Sequence, residues 1–442
     1  MSDINKIHSN KCWFDNKLQP ATVSFENGII TAIDHKKLND AEDFGDKILM
    51  PGIIDVHVHI NEPGRTEWEG FDTATRAAAA GGVTTVVDMP LNSIPVTTTL
   101  RALNEKLMAS VSQLNVNCGF YGGLIPGNYN HMDDLIDAGV MGIKCFLIHP
   151  GIEEFPNVTE KDLDKAMPIL AKHNVPLLVH CEVSEKQTDN NLSKDPTSYK
   201  NYLASRPGQW ENDAVDLMIK LCRKHNCPVH IVHVSCAGAV PKIKKAKEEG
   251  LPLTAETGPH YIYFNAESIP DGQCEYKCAP PIREKENNEL LKQALRSGVL
   301  DFIATDHSPA VPAIKEIESG NLKKAWGGIA GLQFLLPASW TALKEIMSLE
   351  KFIPLLTSRP AAFMNTNNKG EIKIGNDADL VIWDPGEKKK ISKEDILFRH
   401  KISPYIGEEL FGTVFQTIVN GETVFKEDKI INQNKGKWVW RK

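Results

Sequence analysis

From about His57 to Thr305, short apolar runs rich in β-branched residues alternate with longer stretches of helical periodicity, and this alternation limits the fold more than any other feature. The first run is Ile53-Ile54-Asp55-Val56-His57-Val58-His59. Further strands are predicted at 83–88, 117–121, 142–146, 176–180, 229–233, 253–257 and 300–305. Helices are predicted between them at 73–80, 132–138, 162–173, 213–225, 239–249 and 288–296. Eight strands separated by helices predict an α/β fold, a (β/α)8 TIM barrel. An open doubly wound sheet is the competitor, but no G-x-G-x-x-G follows the first strand. Thr66-Glu67-Trp68-Glu69 has capping-box spacing and predicts a helix start with Thr66 as N-cap.

The two chain ends have a different character. Residues 21–25 alternate, Glu26-Asn27-Gly28 is a hairpin signal, and 29–34 return. Beyond about Asn365 strands come back, with 413–419 and 422–425 flanking Asn420-Gly421. Chain termini commonly lie close together. The expectation is therefore one small discontinuous β-sandwich domain from residues 1–50 and 366–442, and a barrel domain from residues 51–365.

With 442 residues and a net charge of −7, the chain carries no nucleic-acid footprint. Lys242-Ile243-Lys244-Lys245 and Lys388-Lys389-Lys390 read as solvated faces. The nine cysteines include no C-x-x-C pair, as expected of reduced, buried thiols. Residues 1–10 lack an apolar signal core, no run is long enough to cross a bilayer, and the final Trp-Arg-Lys is no peroxisomal address. A cytoplasmic protein with no membrane partner is expected.

In a barrel, catalytic groups belong at the C-terminal ends of strands. His57 and His59 stand at i and i+2, so a strand points both imidazoles to one face, forming half of a divalent metal site. The fifth strand ends in His180, the sixth in His233, and the eighth runs into Asp306. Lys144 lies inside an apolar run. An ammonium buried beside metal ions is costly, and a neutral amine or an anionic carbamate would resolve the conflict. A lysine that snorkels to the barrel mouth, or one that forms a Schiff base, stays open as an alternative. Asp306 could also serve only as a helix N-cap.

His57, His59, Lys144, His180, His233 and Asp306 match the ligand pattern of the metal-dependent amidohydrolase superfamily. The chain resembles its cyclic amidohydrolases: dihydroorotases, dihydropyrimidinases or hydantoinases, and allantoinases. The stretches 61–71, Met89-Pro90-Leu91-Asn92, Gly142-Ile143-Lys144-Cys145-Phe146, 277–283, Thr305-Asp306-His307-Ser308-Pro309 and 324–333 are similar to the allantoinase family in particular. The resemblance runs on to Arg399-His400-Lys401-Ile402-Ser403-Pro404-Tyr405.

That resemblance implies two divalent ions bridged by an N6-carboxylated Lys144, one held by His57, His59 and Asp306, the other by His180 and His233. Zinc is the usual metal, with cobalt, nickel, manganese or iron as alternatives that these ligands do not exclude. It implies that a metal-bridged hydroxide attacks a ring amide, with Asp306 as general base and then acid. Dihydroorotases carry arginine where this chain has Asn61, so an anionic ring is disfavoured. Dihydropyrimidinases carry a tyrosine where this chain has His149. The substrate implied is allantoin, opened to allantoate in purine breakdown. A hydantoinase-type activity and a metal-free assembly relative are the alternatives.

Asn92, Cys278 and Gly328 are the expected substrate contacts, the last two through loop backbone, beside Ala279 where relatives often have serine; Asn92 could equally be a turn residue. His131, His173, His225, His230 and His400 read as structural or exposed, while His260 and His307 stay undecided between supporting a ligand and plain packing. The family is often homotetrameric, and a homo-oligomer is expected.

Overall fold

The computed structural model describes residues 4–184 and 191–442. Its centre is a ring of parallel strands: β1 Ile53–Val58, β2 Val83–Asp88, β3 Asn117–Phe120, β4 Ile143–Phe146, β5 Leu177–His180, β6 Val229–Ile231, β7 Leu253–Thr257 and β8 Phe302–Ile303. β1, β2 and β3 pair in order; the chain then continues from β3 into Gly122–Gly123, which pairs with β4, and the series runs on to β8. A parallel bridge between Val58 and His307 joins the segment beyond β8 back to β1. That bridge closes the ring.

Period two decides which side chains face inward. In β5, Leu177 and Val179 join the cluster that packs against the helices, while Leu178 joins the cluster inside the barrel. Lys144 pairs with Leu178 and Phe146 with His180, so these four share the inner face. A register shift between Asp55 and Val58 at the end of β1 turns the chain as it reaches its two histidines.

The helices follow the expected order with small boundary differences. Two departures have local causes. The first helix, Phe71–Ala80, starts five residues after the expected N-cap Thr66 and is preceded by Gly70, with no side-chain cap. Glu69 is instead committed elsewhere, accepting from the Thr73 hydroxyl at 2.5 Å and from the Arg399 backbone N–H at 3.1 Å. A helix at Leu100–Ser110 was not expected, although Thr99 caps it by accepting from the Ala102 N–H at 3.2 Å. The threonine run before it hides its start, since β-branched residues signal strand more than helix.

Both chain ends enter one nine-stranded mixed sheet. Ile48–Pro51 pairs antiparallel with Leu380–Trp383, joining the N-terminal strands to the C-terminal ones. The two hairpins turn at Asn27-Gly28 (φ 52° and 82°) and Asn420-Gly421 (φ 51° and 80°), left-handed pairs that suit the strand twist. The turn tips touch: a Cβ on Gly28 would lie 2.8 Å from the Asn420 carbonyl oxygen. Only glycine fits there. The sheet encloses its own apolar core of Ile7, Val23, Phe25, Leu49, Leu380, Ile382 and Ile418. Among the described residues, no helix is long and apolar enough to cross a membrane.

Candidate metal centre and active site

The C-terminal ends of the barrel strands surround a cavity of about 540 Å³, and His57, His59, Lys144, His180, His233 and Asp306 all line it. β1 delivers His57 and, one residue past its end, His59; β4 delivers Lys144, and β5 delivers His180. His233 and Asp306 stand just past β6 and β8 with φ of 40° and 48°, and Asn61 and Asn92 share that left-handed region (φ 67° and 68°). Backbone held in sparsely populated φ/ψ regions by its surroundings collects at functional sites. The barrel-closing bridge also serves the site, because the His59 N–H donates to the His307 carbonyl at 2.8 Å and so brings β1's histidines to Asp306.

The side chains form one continuous cluster. His57 Nε2 and His59 Nε2 each lie 3.2 Å from Asp306 Oδ1. Ring centroids are 5.4 Å apart for His57 and His233 and 4.6 Å for His180 and His233. Phe146 stacks on His180 at 4.7 Å, and Lys144 Nζ sits 4.9 Å from the Phe146 centroid. One potential ligand atom from each of His57, His59 and Asp306 falls within 4.8 Å of the others. His57 Nε2, His233 Nδ1 and Lys144 Nζ are buried with no hydrogen-bond partner. Packed interiors leave few such atoms, and three together fit a site that a cation completes.

Burial sets the protonation states. It lowers His59 to about 4 and draws His180 and His233 below their ordinary value, leaving neutral imidazoles with lone pairs to offer. Burial opposes ionisation of Asp306, but His57, His59 and His233 outweigh it and hold the carboxyl well below its usual range. Burial pulls Lys144 down to about 8, against the pull of Asp306 and Glu256.

Two carboxylates behind the cluster had no place in the sequence reading. Glu256 on β7 lies 2.5 Å from His57 Nδ1, and its other oxygen 3.1 Å from His230 Nε2. Glu182 lies 2.7 Å from His180 Nε2 and pairs with Arg206. Burial pushes both up, but His57 and His230 on one side, and Arg206 and His180 on the other, hold them at about 2. Each fixes a ring and leaves its opposite nitrogen for the cavity. A glutamate inside an otherwise buried strand, Leu253-Thr254-Ala255-Glu256-Thr257, was the available signal.

The remaining expected residues fall in different places. Asn92 lines the cavity, with Nδ2 3.5 Å from His59 Nδ1. Lys277, Ala279 and Gly327 line it too, whereas Cys278 and Gly328 stand behind that wall: the Cys278 carbonyl accepts from the Tyr202 hydroxyl at 2.6 Å, and the Gly328 N–H donates to the Lys277 carbonyl at 2.9 Å. Asn61 is buried behind the cavity, donating to the Pro309 carbonyl at 3.3 Å. His149 lines the outer part of the cavity. His307 Nδ1 accepts from the Gly331 and Leu332 N–H groups at 3.1 and 3.3 Å, while His260 is buried with Nε2 unpartnered. His173 and His225 meet Asp133 and Asp164, each at 2.7 Å, and His400 meets the Glu67 carbonyl at 2.7 Å, all away from the cluster.

A closed barrel with histidines, a lysine and an aspartate at its C-terminal mouth defines a class, and the chain belongs to the amidohydrolase family, which it matches over residues 48–424. It is 40% identical to the Allantoinase of Arabidopsis thaliana over 96% of this chain and 88% of that one. It is 40% identical to the Allantoinase of Streptomyces avermitilis over the whole of both chains. Among solved structures, the L-hydantoinase (dihydropyrimidinase) from Arthrobacter aurescens superposes with a TM-score of 0.93 at 28% identity, covering all of both chains. The chain is a hydrolase of cyclic amides, of the allantoinase kind. Family and His57–His59–Asp306 cluster together mark a divalent-metal site.

Proposed function

We propose that this chain hydrolyses one ring amide of allantoin, giving allantoate. The observation that carries the reading is four imidazoles, a lysine and an aspartate at one barrel mouth, in a chain 40% identical to allantoinases along its length. Two divalent ions would be held there, one by His57, His59 and Asp306, the other by His180 and His233, with N6-carboxylated Lys144 shared by both. Zinc is the proposed resident; cobalt, nickel, manganese or iron would suit the same nitrogen and oxygen donors. Carboxylation is supported by an amine that burial draws down to about 8 and that has no partner, because the neutral form is the one able to take up carbon dioxide. When bound, such ions polarise a carbonyl and lower the pKa of water.

The chain's own residues supply the rest. Asp306, ionised, accepts the proton that the attacking water sheds and passes it to the departing ring nitrogen, help worth about 10²–10⁴-fold. The Ser308 hydroxyl donates to Asp306 Oδ1 at 3.0 Å and fixes its rotamer. Glu256 and Glu182 keep His57 and His180 in the orientation that presents a lone pair. Asn92 and the backbone beside Cys278 and Gly328 form the wall that meets the ring; Asn61, neutral and buried behind the cavity, brings no charge to an anionic one, and the Arg206 guanidinium at the cavity is paired with Glu182. We further propose the division into residues 1–50 with 366–442 and residues 51–365, a homotetramer, and a cytoplasmic location.

The likeness to L-hydantoinase supports a second reading, a hydantoinase or dihydropyrimidinase. Zinc- and bicarbonate-loaded protein should form allantoate from allantoin faster than it opens hydantoin or dihydrouracil. Turnover of the latter two alone would select the second reading. No turnover of any, with less than one metal ion retained per chain, would overturn both and favour a non-catalytic relative.

A further inference from the structure

We infer that Lys315 is a positioning residue that holds the two loops of the substrate wall together and against the aspartate. It lies in the segment after β8, buried, nine residues beyond Asp306. Its Nζ donates to three backbone carbonyls: Lys277 at 2.8 Å, Trp326 at 3.0 Å and Gly328 at 2.5 Å. An ammonium has three donors and no acceptor, so three carbonyls satisfy it completely. Among the described residues, no carboxylate is paired with it. A buried lysine that served only charge balance would meet an acid; this one meets only main chain.

The three carbonyls come from the two loops whose residues Lys277, Ala279, Lys324, Ala325, Trp326 and Gly327 line the catalytic cavity. The same loops are tied by the Gly328 N–H to the Lys277 carbonyl and by Lys277 Nζ to the Ala325 carbonyl. The clamp also seats the wall on the segment after β8. A Cβ on Gly328 would lie 2.4 Å from the Ser308 carbonyl oxygen, so the loop is pressed onto Ser308, whose hydroxyl holds Asp306 Oδ1. Taking away the ammonium strands the Trp326 and Gly328 carbonyls in a place water reaches poorly and leaves the Lys277 carbonyl only the Gly328 N–H, so the two stranded groups regain partners only if the loops move apart.

The loop part of this inference stands on geometry alone; its consequence for substrate rests on the proposed allantoin reading. Hydrogen exchange and steady-state kinetics on metal-loaded Lys315→Met test the two separately. Amides of 276–282 and 325–330 should exchange about tenfold faster or more, with β1–β8 unchanged, as expected for lost local bonds. KM should rise about tenfold with kcat within about threefold and metal content equal to the parent, the signature of a binding wall rather than a catalytic group. Parent-like exchange in both segments, uniform acceleration through the barrel, or a fall in kcat without a change in KM would each overturn the role. Should Lys315→Met not fold, Lys315→Gln, with one N–H fewer, takes its place. Faster exchange confined to the same two segments supports the clamp, and parent-like exchange overturns it. A protein that opens no allantoin yet shows the loop effect would fail the functional reading and keep the clamp.

Discussion

Two buried polar clusters sit at opposite ends of the barrel, and they are built to opposite rules. At the N-terminal end, Lys369 Nζ lies 2.8 Å from Asp377 and 2.6 Å from Asp379. Asp379 also accepts from the Asn117 side chain at 3.0 Å, at the start of β3, and from the Asn420 N–H at 2.8 Å, at the tip of the C-terminal hairpin. None of these side chains keeps an unpartnered buried atom. At the C-terminal end, His57 Nε2, His233 Nδ1 and Lys144 Nζ are all left without a hydrogen-bond partner, beside backbone held at positive φ. The first cluster closes on itself and welds sheet to barrel. The second is complete only with something added. Satisfaction of buried polar atoms, not their number or charge, separates these two clusters.

The contrast can be broken most forcefully at Lys144. Lys144→Ala should lose metal content and activity together, with partial return on adding a small carboxylate such as acetate; wild-type metal content in this variant would contradict a shared ligand. Asp306→Asn should lower kcat by about 10²–10⁴-fold and leave KM nearly unchanged, because proton transfer counts only in the transition state. An effect confined to KM would make Asp306 a binding group.

At the other end the sign of the effect differs. Lys369→Met should cost about 3–5 kcal/mol of stability, since it leaves the buried Asp379 and the half-buried Asp377 without a counter-charge, while metal content and kcat at 25 °C stay near the parent's. Denaturant unfolding with kinetics checks both. Burial opposes the charge on Lys369, but Asp379 and Asp377 outweigh it and raise its pKa above 10.5. Its stabilisation is therefore full below pH 10.5 and fades as pH rises through the folded-state value. The melting difference between parent and variant should be flat from pH 7 to 10 and shrink above that; a difference that grows there would exclude the ion pair as its source. Smallest of all is the exposed pair Lys244–Glu248 at 3.8 Å. Lys244→Ala should move the melting temperature by no more than about 1 °C, as surface pairs do.

Legibility in the sequence follows the range of the forces involved. The eight strands could be read because buried parallel strands are continuous apolar runs, and the hairpins because Asn27-Gly28 and Asn420-Gly421 need left-handed backbone. The strand-end positions of His57, His59, Lys144, His180, His233 and Asp306 followed from the same pattern. Thr66 misled because its spacing fits a cap, yet Glu69 is claimed by Thr73 and Arg399, the latter 330 residues away. Glu256 and Lys315 were missed because each is defined by residues it faces far along the chain, and Glu182 because no sequence pattern says that it and His180, two positions away, will meet.

What the amino-acid order determined by itself was a period and a set of strand ends: apolar alternation and turn chemistry act over a few residues and need no partner to be read. Tertiary structure alone decided that the Val58–His307 bridge would bring the first histidines to the aspartate, that carboxylates on β7 and after β5 would fix two rings, and that a lysine nine residues past Asp306 would clamp two loops. Most of those outcomes depend on hydrogen bonds between residues distant in the chain, 38 positions for Lys315 with Lys277 and 199 for Glu256 with His57, while His180 and Glu182 are 2 positions apart, and only closure of the ring fixes them.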